Sequence, residues 1–127
     1  MILCDTGVFF QLFRKNDLIK EELLKIGFGN LALSDLSVGE IYFGMRKGEI
    51  RKTKELIKHF RRYHFNKEVS LHFLEIMSDK YGRKISIPDA LIAAFSKAYN
   101  LELFTLNTKD FRNIDGIKIY KTRFQFK

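Results

Sequence analysis

The spacing of apolar and polar residues changes repeatedly along the chain. "ILC" is a short unbroken apolar run that stops on Asp5 and predicts a buried strand over residues 1–5. Thr6 is placed to cap a helix through "GVFFQLFRK", and Asn16-Asp17 to open a second, "DLIKEELLKIGFGN", which Gly27 and Gly29 end. Leu18, Glu22 and Lys25 predict partial exposure of that second helix. "NLALSD" predicts the next strand, again closing on polar residues. From Ser37, the apolar positions Val38, Ile41, Tyr42 and Met45 recur at helical spacing until Gly44 weakens the helix and Gly48 ends it. A longer amphipathic segment follows, "EIRKTKELIKHFRRY", with Ile50, Ile57 and Phe60 on one side. Another helix is expected over roughly 67 to 80. "SIPDALIAAFSKAYN" then places Pro88 in a first turn and Asn100 at a stop, around a body that is apolar on nearly every face. "LELFTL" and "GIKIY" predict the last strands. Strands alternating with helices predict an α/β fold with a largely parallel sheet.

With 127 residues, nearly half of them apolar and one proline, the chain is expected to form one domain over residues 1–127. No apolar run reaches the ~20 residues that cross a bilayer, and the N-terminus lacks a secretory pattern, so no membrane association and a cytoplasmic location are expected. Cys4 is the single cysteine, which excludes an internal disulfide and a cysteine-based zinc site and suits a small core residue. His59, His64 and His72 read as ordinary surface or core histidines. The formal charge is +8, and residues 46–67 carry nine Lys or Arg against two Glu, a net +7. That segment is a candidate for phosphate contact through Arg46, Lys47, Arg51, Lys54, Lys58, Arg61 and Arg62; a solvated helix face or a dock for an acidic protein is the alternative. Phe60, Tyr63 and Phe65, interleaved with it, suit base stacking or core packing.

In an open parallel sheet, ligands gather beyond the carboxyl ends of the strands. Asp5 stands at such an end, and "LFTLNTKD" can deliver Asn107 and Asp110 to the same edge. Each could equally be a turn or cap residue. Asp89 has two readings: Ser86-x-x-Asp89 resembles a capping box, yet the helix it opens is apolar all round, so its amino end meets the interior edge of the sheet. Glu40 lies off the apolar stripe of its helix, beside Ser37 and Gly44. If these acids converge, a cation must sit among them, because two carboxylates about 4 Å apart repel by roughly 4 kcal/mol at an effective dielectric near 20. Hard oxygen donors suit Mg²⁺ or Mn²⁺.

"CDTGVFFQLF", "LSVGEIYFGMRKG", "IPDALIAAFSKAYNLELFTLNTKDF" and "GIKIY" together resemble the PIN-domain family, specifically its VapC-type toxin ribonucleases, in the same order and over almost the whole chain. The resemblance implies a PIN-like three-layer sandwich, a mostly parallel sheet flanked by helices, an acid cluster binding Mg²⁺ or Mn²⁺, and endonucleolytic cleavage of RNA. Carried over, Asp5, Glu40 and Asp89 match the first three acids; Thr6 matches the hydroxyl that supports the first. Gly7 stands where asparagine or serine is common. Asn107 occupies a slot that is aspartate in some relatives, and Asp110 follows, so the fourth position falls to either. By this resemblance the protein is the toxin of a type II toxin-antitoxin pair, with a small antitoxin as partner and a homodimer formed through the early helices.

Asp5 and Asp89 are then the expected primary metal ligands, and Glu40 a ligand or water-orienting group in phosphodiester hydrolysis. Two other classes compete. A non-catalytic RNA-binding module accounts for the basic segment and leaves the acids without a purpose. An aspartyl-nucleophile phosphoryl-transfer enzyme accounts for Asp5, but the haloacid-dehalogenase-like pattern needs aspartate where Gly7 stands and a receiver-like domain needs an adjacent acidic pair. Phosphate-binding glycine motifs are absent.

Overall fold

In the computed structural model, which describes residues 1–79 and 85–122, the apolar runs Ile2–Cys4 (β1), Leu31–Ser34 (β2) and Glu102–Phe104 (β4) lie side by side as parallel strands. Arg61–Tyr63 (β3) and Lys118–Ile119 (β5) flank them, giving the order β3-β2-β1-β4-β5, parallel throughout. Parallel neighbours need crossovers, and the helices that make them cover both faces. Thr6–Phe13 (α1), Asp17–Ile26 (α2), Asp35–Gly44 (α3) and Ile50–Ile57 (α4) pack with one side of the sheet; Lys67–Met77 (α5) and Ile87–Tyr99 (α6) pack with the other. The expected three-layer α/β sandwich is therefore present.

The period of two along a strand explains why β1 is apolar at consecutive positions. Leu3 packs with Ile92, Ala93, Phe95 and Leu103 on one face, and its neighbour Cys4 with Phe9, Leu23, Ile41 and Phe104 on the other. Cys4 is the buried core thiol expected, and burial together with the Asp5 charge holds it far from ionisation. The all-round apolar character of α6 is likewise met, since Ala90 and every residue from Ile92 to Ser96 are buried. Asn100 ends that helix in the left-handed region, φ 54°, where asparagine is tolerated.

Four local expectations are corrected. Asp5, not Thr6, is the N-cap of α1: its carboxylate accepts the Thr6 N–H at 2.8 Å, leaving the Thr6 hydroxyl free for a longer-range contact. The segment 49–63 is not one amphipathic helix. It turns at Lys47–Glu49, forms α4, and ends as edge strand β3, because burial of Phe60 against Phe9 and Phe28 turns the chain back to pair with β2. Tyr42 leaves the apolar stripe of α3 and lies exposed under the Lys54 ammonium. The helix expected over 67 to 80 ends at Met77, with residue 80 outside the described residues.

Glu22 is the fifth difference. It is only 3% exposed, because the chain returns beside β4 and the Tyr120 hydroxyl donates to its Oε1. Removing that donor leaves a buried carboxylate short of a partner, so Tyr120→Phe should lower the unfolding free energy by about 1–3 kcal/mol. Urea unfolding reads this directly; a change under about 0.5 kcal/mol would show that the contact does not hold Glu22. No helix among the described residues is long and apolar enough to cross a membrane.

Candidate active site

Parallel pairing sets the carboxyl ends of the central strands level. Cys4 is in register with Phe104, so Asp5 and Thr105 leave the sheet side by side, and the Asp5 N–H still donates to the Phe104 carbonyl at 2.9 Å. The Thr105 hydroxyl donates to Asp5 Oδ2 at 3.0 Å and accepts the Asn107 N–H at 3.1 Å. On the other side the Thr6 hydroxyl, released from capping, donates to Glu40 Oε1 at 2.7 Å across 34 residues of sequence. The Asn107 amide donates to Asp110 Oδ2, within the turn Thr108–Asp110. Asp89 comes to the same place from the amino end of α6, where its N–H donates to the Ser86 hydroxyl at 3.2 Å. The cap and the site are therefore the same residue pair: capping fixes the backbone of Asp89 and leaves its carboxyl to face Asp110.

The charges of these acids act on one another. Burial holds the Asp5 carboxyl above its ordinary range; the Thr105 and Thr6 donors work against this, and the Asp89 and Glu40 charges add to it. Asp89 is raised by burial first, with Ser86 opposing and the Asp110 and Glu40 charges adding. Among the described residues no Lys or Arg pairs with any of the four acids. Groups with raised pKa values bind a proton more readily folded than unfolded. Their contribution favours the fold below the unfolded carboxyl value, about 3.9, and is lost as pH rises through the raised folded values. In EDTA, the melting temperature of Asp5→Asn minus that of wild type should therefore climb as pH rises from about 4 and then level off. A difference that is flat with pH would mean that neither burial nor neighbouring charge raises Asp5.

Four carboxylates supply only hard oxygen donors, the chemistry that suits a hard divalent cation and not zinc. As placed, each is turned to its own donor: Asp5 to Thr105 and Thr6, Glu40 to Thr6, Asp89 to Ser86 and Asp110 to Asn107. No three acid, His or Cys side chains among the described residues stand together as a ready metal-holding group. Sharing one ion requires these side chains to swing inward on backbones that are already in place. A cleft of about 600 Å³ opens against Asp89 and Asp110, walled by Ile76, Ile85 and Ile114.

The basic candidates are distributed differently from the acids. Arg62 reaches the carboxyl edge, 3.7 Å from Asp35, while Arg61 points the other way and lies over Tyr63 at 5.5 Å. Arg46 and Lys47 sit between α3 and α4, Arg51 and Lys54 on α4, and Lys58 at its end, paired with Glu55 at 3.1 Å. None of these five contacts the acids. Two edge residues escaped the sequence reading. Thr105 had the signal of a hydroxyl directly at a strand end; Asp35 had the stronger one of standing just past β2 as Asp5 stands past β1. Asp35 lies 3.0 Å from His64 Nδ1 and 3.7 Å from Arg62, which makes His64 part of a polar cluster around one carboxylate.

The family model of the PIN domain matches residues 2–117. A search of curated proteins found none that matches. Among solved structures, the chain is similar to a toxin-antitoxin complex from Klebsiella pneumoniae, with 25% identity and a TM-score of 0.82 over 99% of this chain and 100% of that one. It is also similar to FitAcB from Neisseria gonorrhoeae, at 24% identity and a TM-score of 0.83 over 95% and 97% of the two chains. DNA-bound VapBC from Salmonella typhimurium shares 20% identity and a TM-score of 0.84 over 94% and 96%.

Proposed function

Because the chain belongs to the PIN domain family, we propose that it is a Mg²⁺- or Mn²⁺-dependent endoribonuclease and the toxin of a type II toxin-antitoxin pair. The single observation that carries the enzyme reading is the grouping of Asp5, Glu40, Asp89 and Asp110, with no basic partner among the described residues, at the edge of a parallel sheet where ligands collect. A small domain keeps such repulsion only where a cation offsets it. The similarity to a toxin-antitoxin complex supports the toxin reading and a small antitoxin as partner.

Asp5 and Asp89 would hold the ion, which would supply acidification of an attacking water and charge neutralisation at the scissile phosphate. Thr6 and Thr105 hold Asp5 at both oxygens, and Thr6 aims Glu40, which orients the water. Asn107 holds Asp110 beside Asp89, so the fourth position is a pair in which the amide positions the acid. Neither a non-catalytic RNA-binding module nor a phosphoryl-transfer enzyme needs this set. A homodimer belongs to the same proposal, although the exposed apolar residues Leu71, Leu74 and Met77 of α5 with Ile87 outnumber Leu18 and Leu24 of the early helix α2. Incubation of the purified protein with mixed cellular RNA, with and without Mn²⁺, tests the function: fragments only with the ion support it, and intact RNA in both lanes contradicts it.

A further inference from the structure

The cations of α4 stand apart from the acids. α4 hands the chain to β3 at the amino end of that strand, through a turn in which the Phe60 N–H donates to the Ile57 carbonyl at 3.0 Å. The acids gather beyond the carboxyl ends of the strands, so Lys58, just before β3, stands towards the opposite edge of the parallel sheet. Thr53 and Ile57 turn inward and are buried, while Arg51, Lys54 and Lys58, at i, i+3 and i+7, share the outward side of α4 and are exposed. At 1.5 Å per residue these three cations form a stripe about 10 Å long.

Little on the protein answers these charges. Arg51 has no acidic partner among the described residues, and Lys58 pairs with Glu55 at 3.1 Å with both side chains more than half exposed, an arrangement worth little in water. The Lys54 ammonium rests over the exposed Tyr42 ring at 5.9 Å. Lys54 is also one helical turn from Arg51 on one side and from Lys58 on the other, and like charges at that spacing weaken a helix. The one nearby acid besides Glu55 is Glu49, whose carboxylate accepts the Arg46 N–H at 3.1 Å. No apolar side chain interrupts the stripe, so it lacks the buried anchor on which a protein segment relies, whereas a phosphate backbone needs only cations.

We propose that the outward face of α4 is a second RNA contact, separate from the acids, which holds the phosphate backbone of a substrate long enough to reach from the catalytic edge round the flank of the sheet. This rests on the ribonuclease reading and adds length to its substrate: the bond at the acids is cut in an RNA that is also gripped at a distance. Charge selects the occupant, because residues 46–67 carry +7 of the chain's +8 and each phosphate neutralised releases counterions. Contacts to phosphate carry no base sequence, so the face acts on affinity and leaves the chemical step unchanged.

The test uses the full chain and a long RNA in EDTA, with binding measured as salt is raised. Combining Arg51→Gln, Lys54→Gln and Lys58→Gln removes three phosphate contacts at about 0.7–0.9 each in the slope of log affinity against log salt, so over an about fourfold rise in salt wild type should weaken about 20- to 40-fold more than the variant. Lys25→Gln, Lys67→Gln and Lys121→Gln combined remove the same charge from exposed positions elsewhere and should keep the wild-type slope. A trinucleotide spanning the cleaved bond, too short to reach α4, should bind wild type and the α4 variant alike. In Mn²⁺ the α4 variant should raise KM for the long RNA and leave kcat near wild type. Its three positions are exposed and glutamine suits a helix, so it folds, which melting curves check. A wild-type slope in the α4 variant, or an equal loss of slope in the control, overturns the proposal while leaving the nuclease intact. Unchanged RNA binding with loss of binding to poly-glutamate assigns the face to an acidic protein and also overturns it. No RNA cleavage by wild type in Mn²⁺ overturns the nuclease reading itself, whatever the measurements in EDTA show.

Discussion

If the proposed ion and its ligands carry the reaction, Asp5→Asn and Asp89→Asn should each lower RNA cleavage by about 1000-fold, since such an ion would supply several kcal/mol of transition-state stabilisation at 1.36 kcal/mol per tenfold in rate. Asparagine keeps the volume, and at position 5 it keeps an oxygen for the Thr6 N–H, so the fold survives. Asn107→Ala should have a smaller effect, about 10- to 100-fold, the range for residues that hold a ligand and do not bind the ion themselves. Inside the cell the same ranking should appear as growth after induction of the lone chain: arrest by wild type, none by either Asp variant. Cleavage at wild-type rate by Asp89→Asn would remove it from the site.

The second large effect is on stability. An ion that relieves the carboxylate repulsion stabilises the fold by RT ln(1 + [L]/Kd), about 2.7 kcal/mol at one hundred times Kd, which for a domain of this size raises the melting temperature by about 5–15 °C. In EDTA, Asp89→Asn should melt no lower than wild type, because it removes a charge that repels Asp110 and Glu40. With Mn²⁺ added, it should gain much less. Equal gains in wild type and variant would place the ion elsewhere.

The strands were legible because each short apolar run had to be buried on both faces, and Asp5 stood out as the acid on which one of them stops; Glu40 and Asp89 stand on α3 and at the amino end of α6, where no strand end marks them. Asp5, Glu40 and Asp89 are 35 and 49 residues apart in succession, yet parallel pairing leaves little freedom in where strand ends and the amino end of α6 go. Long-range details were not legible. The amphipathic pattern of residues 49–63 is equally good for a helix and for α4 followed by an edge strand, and burial of Phe60 decides between them. Glu22 carries no local sign that Tyr120 will cover it. Thr105 and Asp35 were visible as residues but not as partners, because the contacts that give them a role, Thr105 to Asp5 and Asp35 to His64, cross 100 and 29 positions.

The most direct measurement is the rate at which one defined RNA is cleaved as Mn²⁺ is titrated from EDTA upward, in wild type and in Asp89→Asn. The account predicts no cleavage in EDTA, a saturable rise for wild type, and a curve for the variant that is displaced to higher Mn²⁺ with a far lower plateau. Cleavage that persists in EDTA, or two superimposable curves, would contradict a divalent ion held by these acids as the centre of the chemistry.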